Sequence, residues 1–265
     1  MMHLIIASKQ DEASRSIAGH LLETVEFRED GFGSDILKHG DYLFSYIEER
    51  HLFFNEFDHK YGSIRDNIDD VIFLSRHSSA ADVKSITVHP TGNYGEAKLG
   101  GMENTLSVSD PQKMTSALRS MAEYYSGSDF SVTFEATHHG PLLGVPNFFI
   151  EIGTKSEQWK NREALDIVVH GLFSDAETNL DSFVGVGGGH YMPKITKYAL
   201  ENHVNIGHMI SKHALENINE GLIMESIRKT GNCTGFVMDK KGTKSKPKEM
   251  ITKIAKNLNL EIIYV

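Results

Sequence analysis

Short apolar runs alternate along this chain with longer stretches in which apolar positions return once per helical turn. His3-Leu4-Ile5-Ile6-Ala7-Ser8 reads as a buried strand, and residues 11–23 as a helix with Ala13, Ile17, Ala18, Leu21 and Leu22 on one face. Aromatic-rich runs at 42–47 and 52–57, separated by Glu48-Glu49-Arg50-His51, predict a hairpin. Residues 71–74 and 85–88 predict two further buried strands. Pro111, after Ser109-Asp110, opens a helix whose Met114, Leu118, Met121, Ala122 and Tyr125 fall at helical spacing. Beyond it the pattern predicts strands at 130–135 and 147–152, a long helix at 155–172, a strand at 183–186, a helix at 193–201 and a short strand at 204–206. A helix at 220–230, a strand at 233–238, a helix at 247–258 and a closing strand at 260–265 complete the series.

Strands alternating with helices of this length imply a mostly parallel sheet with both faces covered, a three-layer α/β/α sandwich. The chain shows no repeat, no low-complexity segment and no Pro/Gly/Ser linker, so a single domain over residues 1–265 is expected. The region near 40–60 and the loop from 92 to 110 are read as insertions at the edge of the sheet.

Four polar clusters each follow directly on a predicted strand. Ser75-Arg76-His77 follows one, His89-Pro90-Thr91-Gly92-Asn93 another, Glu135 to Pro141 a third, and Gly187-Gly188-Gly189-His190-Tyr191 a fourth. In open α/β sheets ligands sit beyond the carboxyl ends of the strands, so distant residues can converge in one cleft. His138 and His139 with Glu135 bring imidazole nitrogens and a proton acceptor together, the usual make-up of a hydrolytic metal site. Neighbouring side chains on an extended segment alternate, so one of the two histidines is read as a metal ligand and the other as a substrate-orienting or second-ion residue. Glu151, in an apolar strand, needs a partner and suits a metal ligand or general base. His208 is a further candidate ligand. The triple glycine lets backbone approach a ligand closely, but without a Gly-Lys-Ser/Thr ending or a dinucleotide fingerprint it does not read as a nucleotide loop. His3, His20, His39, His51, His59 and His203 lack companion clusters and are read as structural or solvated. Trp159 and Tyr198 are read as core and Cys233 as a buried inert thiol.

Composition narrows the chemistry. With a single cysteine, no disulfide framework or Cys-rich zinc knuckle is available, so a metal must be held by nitrogen and oxygen, for which 14 histidines offer ample donors. The net charge of −9 argues against a protein that coats nucleic acid through its general field. A local basic patch remains: Lys240, Lys241, Lys244, Lys246 and Lys248 crowd one short segment, with Lys9, Arg15 and Arg76 elsewhere. No apolar stretch reaches spanning length and no signal h-region is present, so a cytoplasmic protein without membrane partners is expected.

Taken together, Ser75-Arg76-His77-Ser78, Thr87-Val88-His89-Pro90-Thr91-Gly92-Asn93, Glu135-Ala136-Thr137-His138-His139-Gly140-Pro141, Glu151-Ile152-Gly153, Gly187-Gly188-Gly189-His190-Tyr191 and Gly207-His208-Met209-Ile210 resemble, in order, the motif series of the archaeal and plant type of D-aminoacyl-tRNA deacylase. The resemblance spans nearly the whole chain; Pro90 is its one departure, at a position that tolerates change. It implies a phosphorylase/hydrolase-like three-layer fold with a mixed sheet, and a zinc-dependent esterase that frees tRNA from a D-amino acid as proofreading in translation. A pair of zinc ions per subunit is implied, held by some of His77, His89, His138, His139, His190 and His208, to activate water and polarise the ester carbonyl. Glu135 or Glu151 would then take and return the proton, with whichever of His138 and His139 is not a ligand orienting substrate and Thr137, Tyr191 or glycine amides steadying the oxyanion. The lysine run with Lys9, Arg15 and Arg76 would hold phosphates of the acceptor end. No DNA and no obligate protein partner is expected. A zinc amidase or peptidase on a small substrate, or a non-catalytic RNA-binding or metal-carrying protein, are the rival readings.

Overall fold

Capping side chains start helices where the sequence punctuates them. Asp11 Oδ1 accepts from the Ser14 amide and Asp110 Oδ1 from the Lys113 amide, both at 2.9 Å. Each satisfies a backbone donor that the first helical turn leaves open. The computed structural model describes residues 2–29, 31, 35–78 and 83–265. In chain order its strands are β1 (His3–Ser8), β2 (Arg28–Glu29), β3 (Ile36–His39), β4 (Tyr42–Ile47), β5 (Asp70–Arg76), β6 (Ser85–His89), β7 (Gly92–Asn93), β8 (Thr105–Leu106), β9 (Ser131–Phe134), β10 (Asn147–Gly153), β11 (Ser182–Val186), β12 (Asn205–Ile210), β13 (Cys233–Met238) and β14 (Glu261–Tyr264). Its α-helices are α1 (Glu12–Thr24), α2 (Phe57–Tyr61), α3 (Pro111–Tyr124), α4 (Ser156–Trp159), α5 (Arg162–Leu172), α6 (Pro193–Asn202), α7 (Glu220–Thr230) and α8 (Ser245–Leu258).

Among the described residues the strands form a mixed eight-stranded sheet, in the order β2-β3-β4-β1-β5-β10-β6-β9, and a parallel four-stranded sheet, in the order β12-β11-β13-β14. The expected α/β class with a mostly parallel sheet holds, but the strands divide between two main sheets rather than joining one. A small β7-β8 ribbon stands apart. One core fills the space between the large sheet and α1, α3 and α5, with Ile72, Val88, Phe134 and Phe148 at its centre. It runs on unbroken into Phe183, Ile206 and Met209 of the smaller sheet. A second core on the opposite face of the large sheet gathers Phe54, Tyr61, Phe73 and Phe149. A third packs α7 and α8 against the far face of the small sheet through Ile223, Ile251 and Phe236.

Three sequence expectations change. Residues 52–57 do not form a strand; His51–Phe53 is a 3₁₀ turn and α2 follows. Phe54, Phe57 and Tyr61 are spaced as a helical stripe, and their rings meet edge-on or tilted as one cluster. Accordingly β4 takes β3 and β1 as its neighbours and lies inside the sheet instead of at an inserted edge. The helix expected over 155–172 breaks at Asn161, whose side chain accepts from the Ala164 amide at 3.0 Å and caps α5. Among the described residues no helix is long and apolar enough to cross a membrane.

Helix α3 is the seam between the two sheets, packing on β6 and β9 of the large one and on β12 of the small one. Its Leu118 is fully buried. Leu118→Ala should therefore destabilise the fold by about 2–5 kcal/mol, read from urea unfolding. A loss well below that range would mean that α3 does not join the sheets.

Candidate active site

Strand direction decides where the polar clusters meet. β5 and β10 run parallel, whereas β6 runs antiparallel to β10 and carries β9 with it. The carboxyl ends of the two pairs therefore point opposite ways, and the expected strand-end cleft becomes a site on the face of the sheet. Glu151 lies within β10, flanked by Ser75 of β5 and Thr87 of β6. His77 comes in just past the end of β5, its amide bonded to Ile152 O at 3.0 Å. His89, the last residue of β6, stands opposite Phe149 and stacks on its ring, with centroids 5.3 Å apart. Glu135 follows β9, and its backbone pairs with that of Tyr191 while the Ala136 amide bonds His190 O at 2.8 Å. That seam brings the glycine-rich loop alongside the sheet.

His138 and His139 escape the alternation expected of an extended segment because His139 takes a left-handed backbone conformation, φ 45°. Both then aim a ring nitrogen at the same place as His89. Ligand atoms of His89, His138 and His139 lie within 4.8 Å of one another, as do those of His77, Glu135 and His190 and those of His89, Glu135 and Glu151. The Nδ1 atoms of His89, His138 and His139 face the carbonyls of Pro90, Ala136 and Gly140 at 3.2, 2.8 and 2.7 Å. A carbonyl can only accept, so each Nδ1 carries the proton and each Nε2 keeps its lone pair for the cluster. His89 Nε2, His77 Nε2 and both Glu135 oxygens are buried with no hydrogen-bond partner. Bare imidazole nitrogens and carboxylate oxygens grouped in this way are atoms able to hold a metal ion.

The electrostatics are strongly coupled. His77 Nδ1 lies 3.0 Å from Glu135 Oε1 and 3.5 Å from Glu151 Oε2, and His190 Nε2 lies 3.1 Å from Glu135 Oε2. The His77–Glu135 approach lacks hydrogen-bond angles, so charge attraction dominates it. Burial alone would lower the His77 pKa; the two carboxylates reverse this and push it up to about 10. Burial opposes ionisation of Glu135 and Glu151 too, yet the surrounding histidines hold both carboxyls well below the usual range. Burial drives His139 down to about 3 and His138 well below its ordinary value. Gly153 makes room for the arrangement: a Cβ there would stand 3.0 Å from the His77 ring.

The other expected site residues lie around the cluster or away from it. His208 does not join the cluster, because its Nδ1 meets Thr137 Oγ1 at 3.1 Å and its Nε2 meets Ser107 O at 3.0 Å, and burial holds it neutral with a pKa of about 4. Its Nε2 donates to the Ser107 carbonyl, so its Nδ1 accepts from the Thr137 hydroxyl. Thr137 also accepts from the Met209 amide at 2.9 Å, so its hydroxyl is tied to β12 and has no proton to offer an oxyanion. Tyr191 places its hydroxyl 3.3 Å from Ser85 Oγ, with its ring beside His77. Arg76 lies 3.6 Å from Asp11 and over the Trp159 ring. Lys9 is paired with Glu48 at 2.6 Å, and Arg15 donates to Lys9 O. Lys240 and Lys241 sit in the turn after β13, Lys244 immediately precedes α8, and Lys246 and Lys248 lie in its first turn.

A cavity of about 370 Å³ opens onto the cluster, walled by His77, His138, His139, Glu151 and His190 on one side and by Asp11, Arg50, His51, Leu52, Arg76 and Leu99 on the other. His51, read from sequence as structural or solvated, is a neutral wall of this cavity, held near a pKa of about 4 by burial, with Nε2 3.2 Å from Ser14 Oγ. Asp11, Leu52 and Leu99 gave no sequence signal of a site, since capping and apolar packing explain them equally well.

Residues 64–263 match the family model for D-aminoacyl-tRNA deacylase. Curated proteins named D-aminoacyl-tRNA deacylase are 47% identical in Thermoplasma acidophilum and 42% identical in Thermoplasma volcanium, each over 100% of both chains. One from Pyrococcus horikoshii is 32% identical over 99% of both. A crystal structure described as a conserved protein of unknown function superposes with a TM-score of 0.91 at 29% identity, covering 99% of this chain and 95% of that one. By its family model and by relatives that match along their whole length, the chain belongs to the D-aminoacyl-tRNA deacylase family.

Proposed function

We propose that this chain hydrolyses the ester joining a D-amino acid to the terminal ribose of tRNA, and that it does so with zinc held in the histidine cluster. The donor set carries the reading: buried imidazole and carboxylate atoms without partners, next to a cavity lined by His77, His138, His139, Glu151 and His190, in a member of this family. Imidazole with carboxylate and no thiolate suits zinc among the common ions. His89, His138 and His139 would hold one ion, and His77, Glu135 and His190 a second. Zinc, when bound, supplies a Lewis acid and activated water at neutral pH.

The remaining work falls to the chain. Glu151 lines the cavity and Glu135 does not, so Glu151 is the carboxylate placed to take a proton from water and return it to the leaving ribose oxygen. Glu135 holds His77 and His190 in place from beneath. With the Thr137 hydroxyl committed to His208, Arg50 and Arg76 are the charged donors left to face the developing oxyanion. The lysines between 240 and 248, with Lys9 and Arg15, supply local positive charge for tRNA phosphates on a chain whose net charge is −9.

Matched D- and L-aminoacyl-tRNA should separate the reading from general esterase activity. The D-ester is cleaved and the L-ester spared; chelation abolishes cleavage and zinc restores it, with bound metal counted by elemental analysis. Equal rates on both enantiomers would sink the proofreading role, and full activity in verified metal-free protein would sink the zinc.

His138→Ala should lower kcat by more than the roughly 10–100-fold that outer-shell partners of a metal cost, with tRNA binding retained in a filter assay. Retained kcat would remove His138 from the centre.

A further inference from the structure

Three depressions adjoin one another beside the cluster. The first is the cavity described above. The second is an open trough of about 650 Å³ with Asn104, Asn217, Glu96 and Glu103 in its walls. The third, about 360 Å³, is walled by Lys212, His213, Lys241 and Lys244. His138 is a wall of both the first and the second, and His213 of both the second and the third. Neighbouring depressions thus share a wall residue, and the series runs as a path from the cluster at one end to the lysines at the other.

Charge changes along that path. In the first cavity Arg50 and Arg76 are balanced by Asp11 and Glu151. The trough carries carboxylates and side-chain amides and is hostile to a phosphate, while the amides suit the uncharged edges of a base and a ribose. In the third depression three lysines face one carboxylate, Glu216. That carboxylate is taken by Lys244 at 3.0 Å, and among the described residues neither Lys212 nor Lys241 makes an ion pair. This depression is also tied to the glycine-rich loop that carries His190. The Lys212 amide bonds Gly188 O at 2.9 Å, and Gly242 packs so tightly that a Cβ on it would stand 2.8 Å from Gly188 N.

We propose that the aminoacylated end of tRNA lies along this path in one direction: phosphodiester between Lys212 and Lys241, terminal nucleoside in the trough, and aminoacyl group beyond His138 in the cavity walled by Leu99 and Asp11. The proposal rests on the deacylase reading above. It makes the first cavity the one that senses the amino acid, with Leu52 and Leu99 as apolar surface for a side chain and Asp11 as the carboxylate facing its ammonium group. Lys212 and Lys241 become the phosphate-binding pair, one that includes a lysine outside the 240–248 run.

The test compares ratios of kcat/KM among D-tyrosyl-tRNA, D-alanyl-tRNA, 3′-O-D-tyrosyl-adenosine and D-tyrosine methyl ester. Lys212, Lys241, Asn217 and Leu99 all reach solvent, and melting curves of the variants guard against misfolding. Lys212→Gln with Lys241→Gln should lower the ratio of D-tyrosyl-tRNA to D-tyrosyl-adenosine about tenfold, and should flatten the log-log salt dependence by roughly 0.7 for each phosphate no longer neutralised. Asn217→Trp should lower the ratio of D-tyrosyl-adenosine to the methyl ester, and Leu99→Trp the ratio of D-tyrosyl- to D-alanyl-tRNA. The crossed pattern, with Leu99→Trp acting on the nucleoside ratio and Asn217→Trp on the side-chain ratio, would overturn the direction. Unchanged ratios would overturn the path. Failure of the unsubstituted chain to release D-tyrosine from tRNA would instead strike the deacylase reading itself, and this proposal with it.

Discussion

Two carboxylates whose pKa values are held low sit almost wholly buried, and the local structure answers to them. Glu135 and Glu151 are buried to 0% and 3% exposure on one face of the large sheet. A carboxylate in such a place costs several kcal/mol unless paired, and removing a partner from a buried pair is strongly destabilising. The partners come from four separate segments: His77 after β5, His89 at the end of β6, His138 and His139 after β9, and His190 after the glycine loop. Each arrives by a different backbone device. The antiparallel step between β10 and β6, the bridge from Glu135 to Tyr191 and the left-handed turn at His139 all bring positive or neutral nitrogen to the same two acids.

The rigidity of the cluster differs from side to side. On the sheet side, carbonyl groups of the chain itself fix the rings of His89, His138 and His139, which sets both tautomer and direction before any ligand arrives. On the other side His190 is reached through glycines: Gly187 and Gly188 have φ of 91° and 83°, and a Cβ on Gly187 would meet Thr243 Oγ1 at 2.8 Å. Those dihedrals and that closeness require glycine. The fixed wall and the loop wall meet at Glu135, which touches both.

The clusters that announce chemistry were legible in the sequence because histidine, glutamate and glycine are rarely grouped without reason, and His77, His89, Glu135, His138, His139, Glu151 and His190 do come together. Strand order was not legible: periodicity carries no sign of whether two strands run alike or opposed, so a site on a sheet face was read as one at strand ends. His208 belonged to the same motif series, yet a motif does not say which neighbours a ring will find, and it found Thr137 and the Ser107 carbonyl. The stripe of Phe54, Phe57 and Tyr61 was ambiguous between period two and period three or four because it is short. Asp11, Leu52, Leu99 and Lys212 were invisible for a different reason: their sequence contexts are ordinary, and only the fold carries them to the cavities.

Phe149 belongs to two neighbourhoods at once. Its ring stacks on Phe73 at 4.8 Å within the second core and on His89 at 5.3 Å within the cluster, with His139 edge-on at 4.9 Å. The floor of the cluster is thus also a wall of the second core, ring against ring. Substitutions around Phe54 and Tyr61, far from any substrate, are free to vary only as far as that ring stays still, so apolar residues on the remote face inherit part of the selection that falls on the chemistry.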